Sequence, residues 1–383
     1  MNEKVAGFCA DRFAAVRDAF THNFSSEEEL GAACCIYLHG EKIVDLWGGL
    51  ADEDSGAAWQ EDTLCGFYST GKPLAGLGLL QMIDAGRIKL DDPVAGSWPE
   101  FSEANKAAVT FRQLLCHQAG LPAVRKRLPE GAMLDWEMMV SELAAQEPWW
   151  EPGTRHVYHT NTYGYLVGEP VRRLTGLSPG QYMREKISGP LGVEVYIGVP
   201  DDALDRVATL KWESSGGVPD SSVLDRAMSD EERMLLYAVR NPSGLSSLGV
   251  MNTRAWRQGE VPSTNGHGTA RGVARIYSAL VSPGEDDRLL SPEMLKEATS
   301  LQSEGYCPAL QREVSFALGF QCTRPDRPLG PNPSSFGHFG TGGSLGFADP
   351  QTGVGFGYVM NRIKPRWQNP RNKALLKALY DSL

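Results

Sequence analysis

The chain has 383 residues, 42% of them hydrophobic, and a formal net charge of −10. This length accommodates one large or two intertwined domains with a substantial core. The acidic balance, with no basic stripe and no long run of like charge, argues against nucleic acid and anionic membrane as partners.

Residues 1–16 lack a basic segment followed by an apolar run and do not read as a signal peptide. Val5, Phe8, Cys9, Phe13 and Val16 predict an amphipathic helix instead. No apolar run approaches a membrane span, so the chain reads as cytoplasmic. The seven cysteines (9, 34, 35, 65, 116, 307 and 322) are odd in number, scattered and without C-x-x-C spacing. They read as reduced small hydrophobes, with no metal site and no cofactor implied.

Residues 33–38 and 43–47 flank a turn at 39–42 and predict a hairpin. A helix follows from Ser69 onward: Leu74, Leu77, Leu80 and Ile83 form its apolar stripe, and Gly86 is its stop. Pro73 is tolerated in the first turn, where its missing N–H has no partner to lose. Three middle helices are marked by Trp136, Met139, Val140 and Leu143; by Leu166, Val167, Val171 and Leu174, interrupted by Pro170 and ended by Gly176; and by Val273, Ile276, Tyr277 and Leu280. The polar stretch 211–229 predicts a surface excursion, and 324–335, with four prolines, a loop. Strands are expected at 315–322, 336–340, 345–348 and 354–360, the last two joined by a turn at 349–353, with a final helix at 372–383.

Short strands at both ends cannot stand as isolated hairpins. They are expected to share one antiparallel sheet, which makes the fold class α/β (α+β) with an inserted helical domain. The expected division is a discontinuous sheet domain over 1–75 and 305–383, with a mainly helical domain over 76–304. The active site is expected at their interface. No internal repeat is present, and nothing in the pattern specifies an oligomeric state.

Ser69-Thr70-Gly71-Lys72 carries the chemistry. A serine and a lysine three apart at a helix start share one face of its first turn. The amine can take the hydroxyl proton, and the helix N-terminus favours a developing anion. S-x-x-K is the nucleophile motif of serine β-lactamases and penicillin-binding proteins, weak when it stands alone. A second element is Glu151-Pro152-Gly153-Thr154-Arg155-His156-Val157-Tyr158. A tyrosine at this loop-to-helix junction can point into a cleft, where a nearby lysine lowers its pKa and lets it shuttle protons. The third, Phe336-Gly337-His338-Phe339-Gly340-Thr341-Gly342-Gly343-Ser344, is a glycine-rich edge that lets a substrate carbonyl approach its N–H groups.

Together these motifs resemble the serine β-lactamase-like hydrolases, closest to class C and to the family VIII carboxylesterases. Pro152-Gly153-Thr154 with Tyr158 is similar to the segment carrying the family's tyrosine, and His338-Phe339-Gly340 to its third motif. The framing segments Leu90-Asp91-Asp92-Pro93-Val94, Leu114 to Pro122 and Asn265-Gly266-His267-Gly268-Thr269-Ala270 also look alike. The resemblance implies Ser69 as nucleophile, Lys72 and Tyr158 as the proton-transfer pair, and an acyl-enzyme mechanism. It implies an oxyanion hole from the backbone N–H groups of Ser69 and Thr341. His338, Phe339, Gly340, Tyr68 and His267 are the expected substrate-binding residues.

Two departures matter. Tyr-x-Asn becomes Tyr158-His159-Thr160 with Asn161 one place late, and histidine replaces the third-motif lysine that would hold a carboxylate. Both favour an esterase for small, largely uncharged esters, with weak β-lactam hydrolysis or acyl transfer as side reactions. The alternatives are a β-lactamase or amide/peptide hydrolase of this fold, and a non-catalytic binding module. Gly342-Gly343-Ser344-Leu345-Gly346 also fits G-x-S-x-G, but no helix is expected after it and no histidine follows. His117 and His156 read as structural groups, without the ligand set of a metal site.

Overall fold

The computed structural model describes residues 5–212, 222, 224, 226, 228–242, 250–284 and 287–383. The polar stretch at 211–229 therefore falls largely outside the described residues.

Backbone pairing, rather than helix periodicity, organises the first residues. Strand β1 (Ala6–Cys9) pairs antiparallel with β3 (Glu41–Asp52), and helix α1 (Ala14–Ser26) begins only afterwards. The helix expected over 1–16 thus gives way, among the described residues, to the strand Ala6–Cys9, a 3-10 turn at Asp11–Phe13 and only the first residues of α1. Gly7 makes the pairing: its φ is +100°, and a Cβ there would lie 2.0 Å from the Asp45 carbonyl oxygen. Between β2 (Gly31–Leu38) and β3, His39 and Gly40 take φ of 51° and 84°, as a two-residue hairpin turn requires.

The C-terminal strands are β4 (Ser303–Cys307), β5 (Arg312–Phe316), β6 (Gln321–Cys322), β7 (Phe336–Phe339), β8 (Leu345–Asp349) and β9 (Val354–Met360). The sheet runs β1-β3-β2-β9-β8-β7-β6-β5-β4, and the β2–β9 pairing joins the two ends of the chain. The strand expected over 315–322 is two strands, because Gly319, at φ +86°, turns the chain between Phe316 and Gln321.

Helices α2 (Lys72–Asp84), α3 (Trp136–Ala145) and α4 (Tyr163–Thr175) lie in the inserted stretch. Pro170 does not interrupt α4. Packing overrides the lost backbone bond: residues 163–171 are all buried, and Glu169 is clasped by Trp136, Arg172 and Arg173. Helix α5 (Ala270–Val281) also falls inside that stretch, but it lies on the sheet. A Cβ at Gly355 or Gly357 of β9 would meet the α5 backbone at 2.4 and 2.3 Å, so this glycine face is its seat. On the opposite face Tyr358 reaches Glu29, which pairs with Arg371 of the last helix, α6 (Pro370–Ser382). No helix among the described residues is long and apolar enough to cross a membrane.

Candidate active site

Ser69 sits in the 3-10 turn Tyr68–Gly71, which runs directly into α2. Two supports hold this turn. Beneath it, Cys65–Gly66 pairs with Gly266–Gly268. Beside it, the Ser344 hydroxyl donates to the Phe67 carbonyl at 2.8 Å and lies 3.0 Å from Thr70 Oγ1. Gly340 permits this approach, since a Cβ there would fall 2.1 Å from Ser344 Oγ and 2.4 Å from the Phe67 carbonyl. Ser344 is fully buried and leads into strand β8 rather than a helix, so it fastens the turn that carries Ser69 and lacks the strand–turn–helix setting of a nucleophile elbow.

Lys72 projects from the first turn of α2 and is completely buried. Its Nζ lies 3.3 Å from Ser69 Oγ, 2.7 Å from the Thr160 carbonyl and 2.9 Å from the Ser263 carbonyl. Burial pushes the amine well below the ordinary lysine value, and no carboxylate opposes this. The two anchors act through backbone carbonyls, Thr160 from the tyrosine segment and Ser263 from a loop without a motif, so only a fold could reveal them. Asn161 does not reach Lys72, because its amide donates to Ala238 O at 2.9 Å.

Tyr158 is buried over Lys72, whose Nζ is 4.8 Å from the ring centroid. Its hydroxyl lies 3.4 Å from His338 Nε2. Burial raises the phenol, and the Ser69 hydroxyl and the Arg312 charge oppose this only in part. The expected lowering by a neighbouring lysine is therefore reversed, since Lys72 is itself desolvated. Behind the ring stand His117, with centroids 5.0 Å apart, and Cys307, whose Sγ accepts the Tyr158 N–H at 3.3 Å. His117 Nδ1 in turn accepts the His159 N–H at 3.2 Å. A scattered cysteine and a lone histidine gave no sequence signal for this support.

His338 is buried, and its Nδ1 donates to the Phe339 carbonyl at 2.5 Å, which leaves Nε2 facing Tyr158. Burial, above all, holds its pKa well below the usual histidine value, so the ring is neutral. Phe339 is buried beside it, with the Arg327 guanidinium 5.9 Å from its ring centroid. Among the described residues neither the Ser69 nor the Thr341 backbone N–H has a backbone acceptor.

Two expected binding residues lie elsewhere. The Tyr68 ring packs edge-on against Trp212 at 6.2 Å, at a φ of +50°, with its hydroxyl buried. His267 donates from Nδ1 to Asn265 O at 2.7 Å and would lie 3.3 Å from a Cβ at Gly66, so it props the strand leading to Ser69. Burial lowers its pKa to about 4. Among the described residues no cluster of His, Cys, Asp or Glu could hold a metal ion.

A buried Ser–Lys–Tyr cluster beside an antiparallel sheet with packed helices points to a class of protein, and the comparisons show its family. Residues 16–380 match the family described as Beta-lactamase. The chain belongs to that family and carries its hydrolase fold. It is 33% identical over 371 residues to "Esterase/beta-lactamase LipL" of Mycobacterium tuberculosis, covering 94% of this chain and 83% of that protein. A solved structure of a family VIII carboxylesterase superposes with a TM-score of 0.91 at 37% identity, covering 99% of this chain and 100% of the other. A penicillin-binding protein homologue from Caulobacter crescentus does so with a TM-score of 0.89 at 39% identity, with the same coverage.

Proposed function

We propose that the protein is a serine esterase that cleaves small carboxylic esters through an acyl-enzyme on Ser69. The observation that carries this reading is the three-point surrounding of Lys72 Nζ. A neutral amine has two hydrogens and one lone pair. The Thr160 and Ser263 carbonyls take the hydrogens, which turns the lone pair toward Ser69 Oγ. Burial, with no carboxylate to offset it, shifts the amine toward its neutral form. Lys72 is then the base that accepts the serine proton as Oγ attacks the ester carbonyl.

The tetrahedral oxygen would be received by the Ser69 and Thr341 N–H groups. Tyr158, kept as a neutral phenol, gives its proton to the departing alkoxide and regains one from Lys72. Water repeats the sequence in reverse: its proton passes to Tyr158 and Lys72 as its oxygen attacks the acyl carbonyl, and Ser69 recovers its own. Because His338 is neutral, the third motif supplies no fixed charge for a lactam carboxylate. The names of the 33%-identical esterase/β-lactamase and the 37%-identical carboxylesterase agree with an ester substrate.

Purified enzyme assayed on p-nitrophenyl esters and a cephalosporin tests this. We expect a kcat/KM on the best short ester well above that on the lactam. A lactam value equal to or above it replaces the esterase with a β-lactamase. Inactivity on both, with no phosphonate label, leaves the binding module.

A further inference from the structure

Arg312 opens strand β5 and Arg327 belongs to the proline-rich loop before β7. They converge beside the catalytic tyrosine. The Arg312 guanidinium lies 4.7 Å from the Trp367 ring centroid, and that ring stands 5.6 Å from Tyr158 and 5.8 Å from His338. Arg327 covers Phe339, the next residue of the third motif. Both arginines line one recess together with Gln321 and Phe339.

Among the described residues neither guanidinium has an ion-pair or hydrogen-bond partner, and Arg312 Nε and Arg327 Nη2 are buried without an acceptor. The nearest carboxylate acting on both, Asp326, is engaged by Arg324 at 2.9 Å. Glu313 and Arg324 also line this recess; the exposed Glu313 acts on His156 and, among the described residues, makes no ion pair with either arginine. Burial and the repulsion from Arg327 lower Arg312 to about 10, so both remain cations at neutral pH. Two like charges held together with buried, unmatched donors are unfavourable unless an anion joins them. The partly buried Arg112, Arg172, Arg206 and Arg271 all meet carboxylates, whereas Arg257, which meets none, donates to the Ala208 carbonyl at 3.5 Å.

We propose that Arg312 and Arg327 form an anion subsite of the catalytic cleft, so that the preferred substrate is an ester that also carries an anionic oxygen group, carboxylate or phosphate, one aromatic ring away from the reacting carbonyl. This deepens the esterase reading and rests on it. It replaces the expectation of uncharged substrates, and it places the charge recognition that the third-motif histidine lacks on two residues without a motif. Phe339 lines the subsite and Trp367 backs the Arg312 guanidinium, and these apolar faces strengthen the pairing by excluding water.

The test compares p-nitrophenyl hexanoate with mono-p-nitrophenyl adipate and p-nitrophenyl 5-phosphonopentanoate, which share a leaving group and differ in the tail. Wild type is expected to favour at least one anionic ester by on the order of 10-fold or more in kcat/KM. That preference should shrink as salt rises. In Arg312→Gln/Arg327→Gln the anionic-to-neutral ratio should fall by on the order of 10- to 100-fold, whichever tail is favoured. Arg312→Lys/Arg327→Lys, which keeps the charge, should retain part of it. A wild-type ratio near one, or one that the glutamine variant leaves within about twofold, overturns the subsite. If wild type cleaves none of the esters and Ser69 takes no phosphonate, the esterase reading has failed. Calorimetric titration of adipate and inorganic phosphate against adipamide then decides the subsite by itself: binding of an anion lost in the glutamine variant supports it, and equal or absent binding overturns it.

Discussion

Lys72 and Lys106 are both fully buried and both point into backbone carbonyls, yet their third partners differ. Lys106 donates to Glu103 O and Ala144 O at 2.8 Å and to Gln146 O at 2.5 Å, so three acceptors use all three ammonium protons. Burial lowers it to about 8, with Glu103 and Glu147 opposing. It remains a cation that ties the 103–106 turn to the last carbonyls of α3, a favourable place for positive charge. Lys72 has two carbonyls and a serine hydroxyl, with no acid nearby. One partner exchanged, carbonyl for hydroxyl, separates a structural clip from the base proposed here.

The largest expected effect comes from breaking the reactive member. Lys72→Met should lower kcat on a short ester by about 10³–10⁴-fold while the protein still folds. A circular-dichroism melt beside the assay separates the two, and near-wild-type turnover would remove Lys72 from the mechanism. Tyr158→Phe should cost about 10²–10³-fold, and the Lys72→Met/Tyr158→Phe double variant much less than the product, because both act on one proton path. Fully multiplicative losses would mean the tyrosine only packs.

Lys106→Met inverts the pattern. It strands three carbonyls, so stability should fall by about 2–4 kcal/mol, read by denaturant unfolding, while kcat of the folded fraction changes by less than about threefold. The smallest effect is expected at Ser344→Ala: loss of its bond to Phe67 O should cost about 1–2 kcal/mol and lower turnover less than about 10-fold. Abolished turnover there would reopen the G-x-S-x-G reading.

Much of this was legible in the sequence, and the failures have physical causes. Ser69 and Lys72 were readable because three residues of helix fix their relation whatever the tertiary structure does. The β8–β9 hairpin and α5 were readable from local turn residues and apolar spacing. The 1–16 helix misled because β1 is an edge strand whose order comes from β3, about 40 residues away in sequence. The Tyr158 shift misled because its sign depends on burial, and burial of a lysine and a tyrosine together cannot be read from either one. Thr160, Ser263 and Cys307 act through carbonyls or a lone sulfur, which carry no residue-type signature. Arg312 and Arg327 stood unnoticed among ordinary arginines until their lack of partners could be seen.

The central claim is that a neutral Lys72 activates Ser69. The rate of fluorophosphonate labelling as a function of pH, mapped by mass spectrometry in wild type and Lys72→Met, tests it most directly. Because burial lowers the amine, its base form predominates above a pKa below the ordinary lysine value of 10.5 and is lost as pH falls through it. The account predicts label on the Ser69 peptide alone, a rate that rises through one ionisation below that value, and loss of both rate and ionisation in Lys72→Met. Label on Ser344, or Ser69 labelled at the wild-type rate without Lys72, would contradict it.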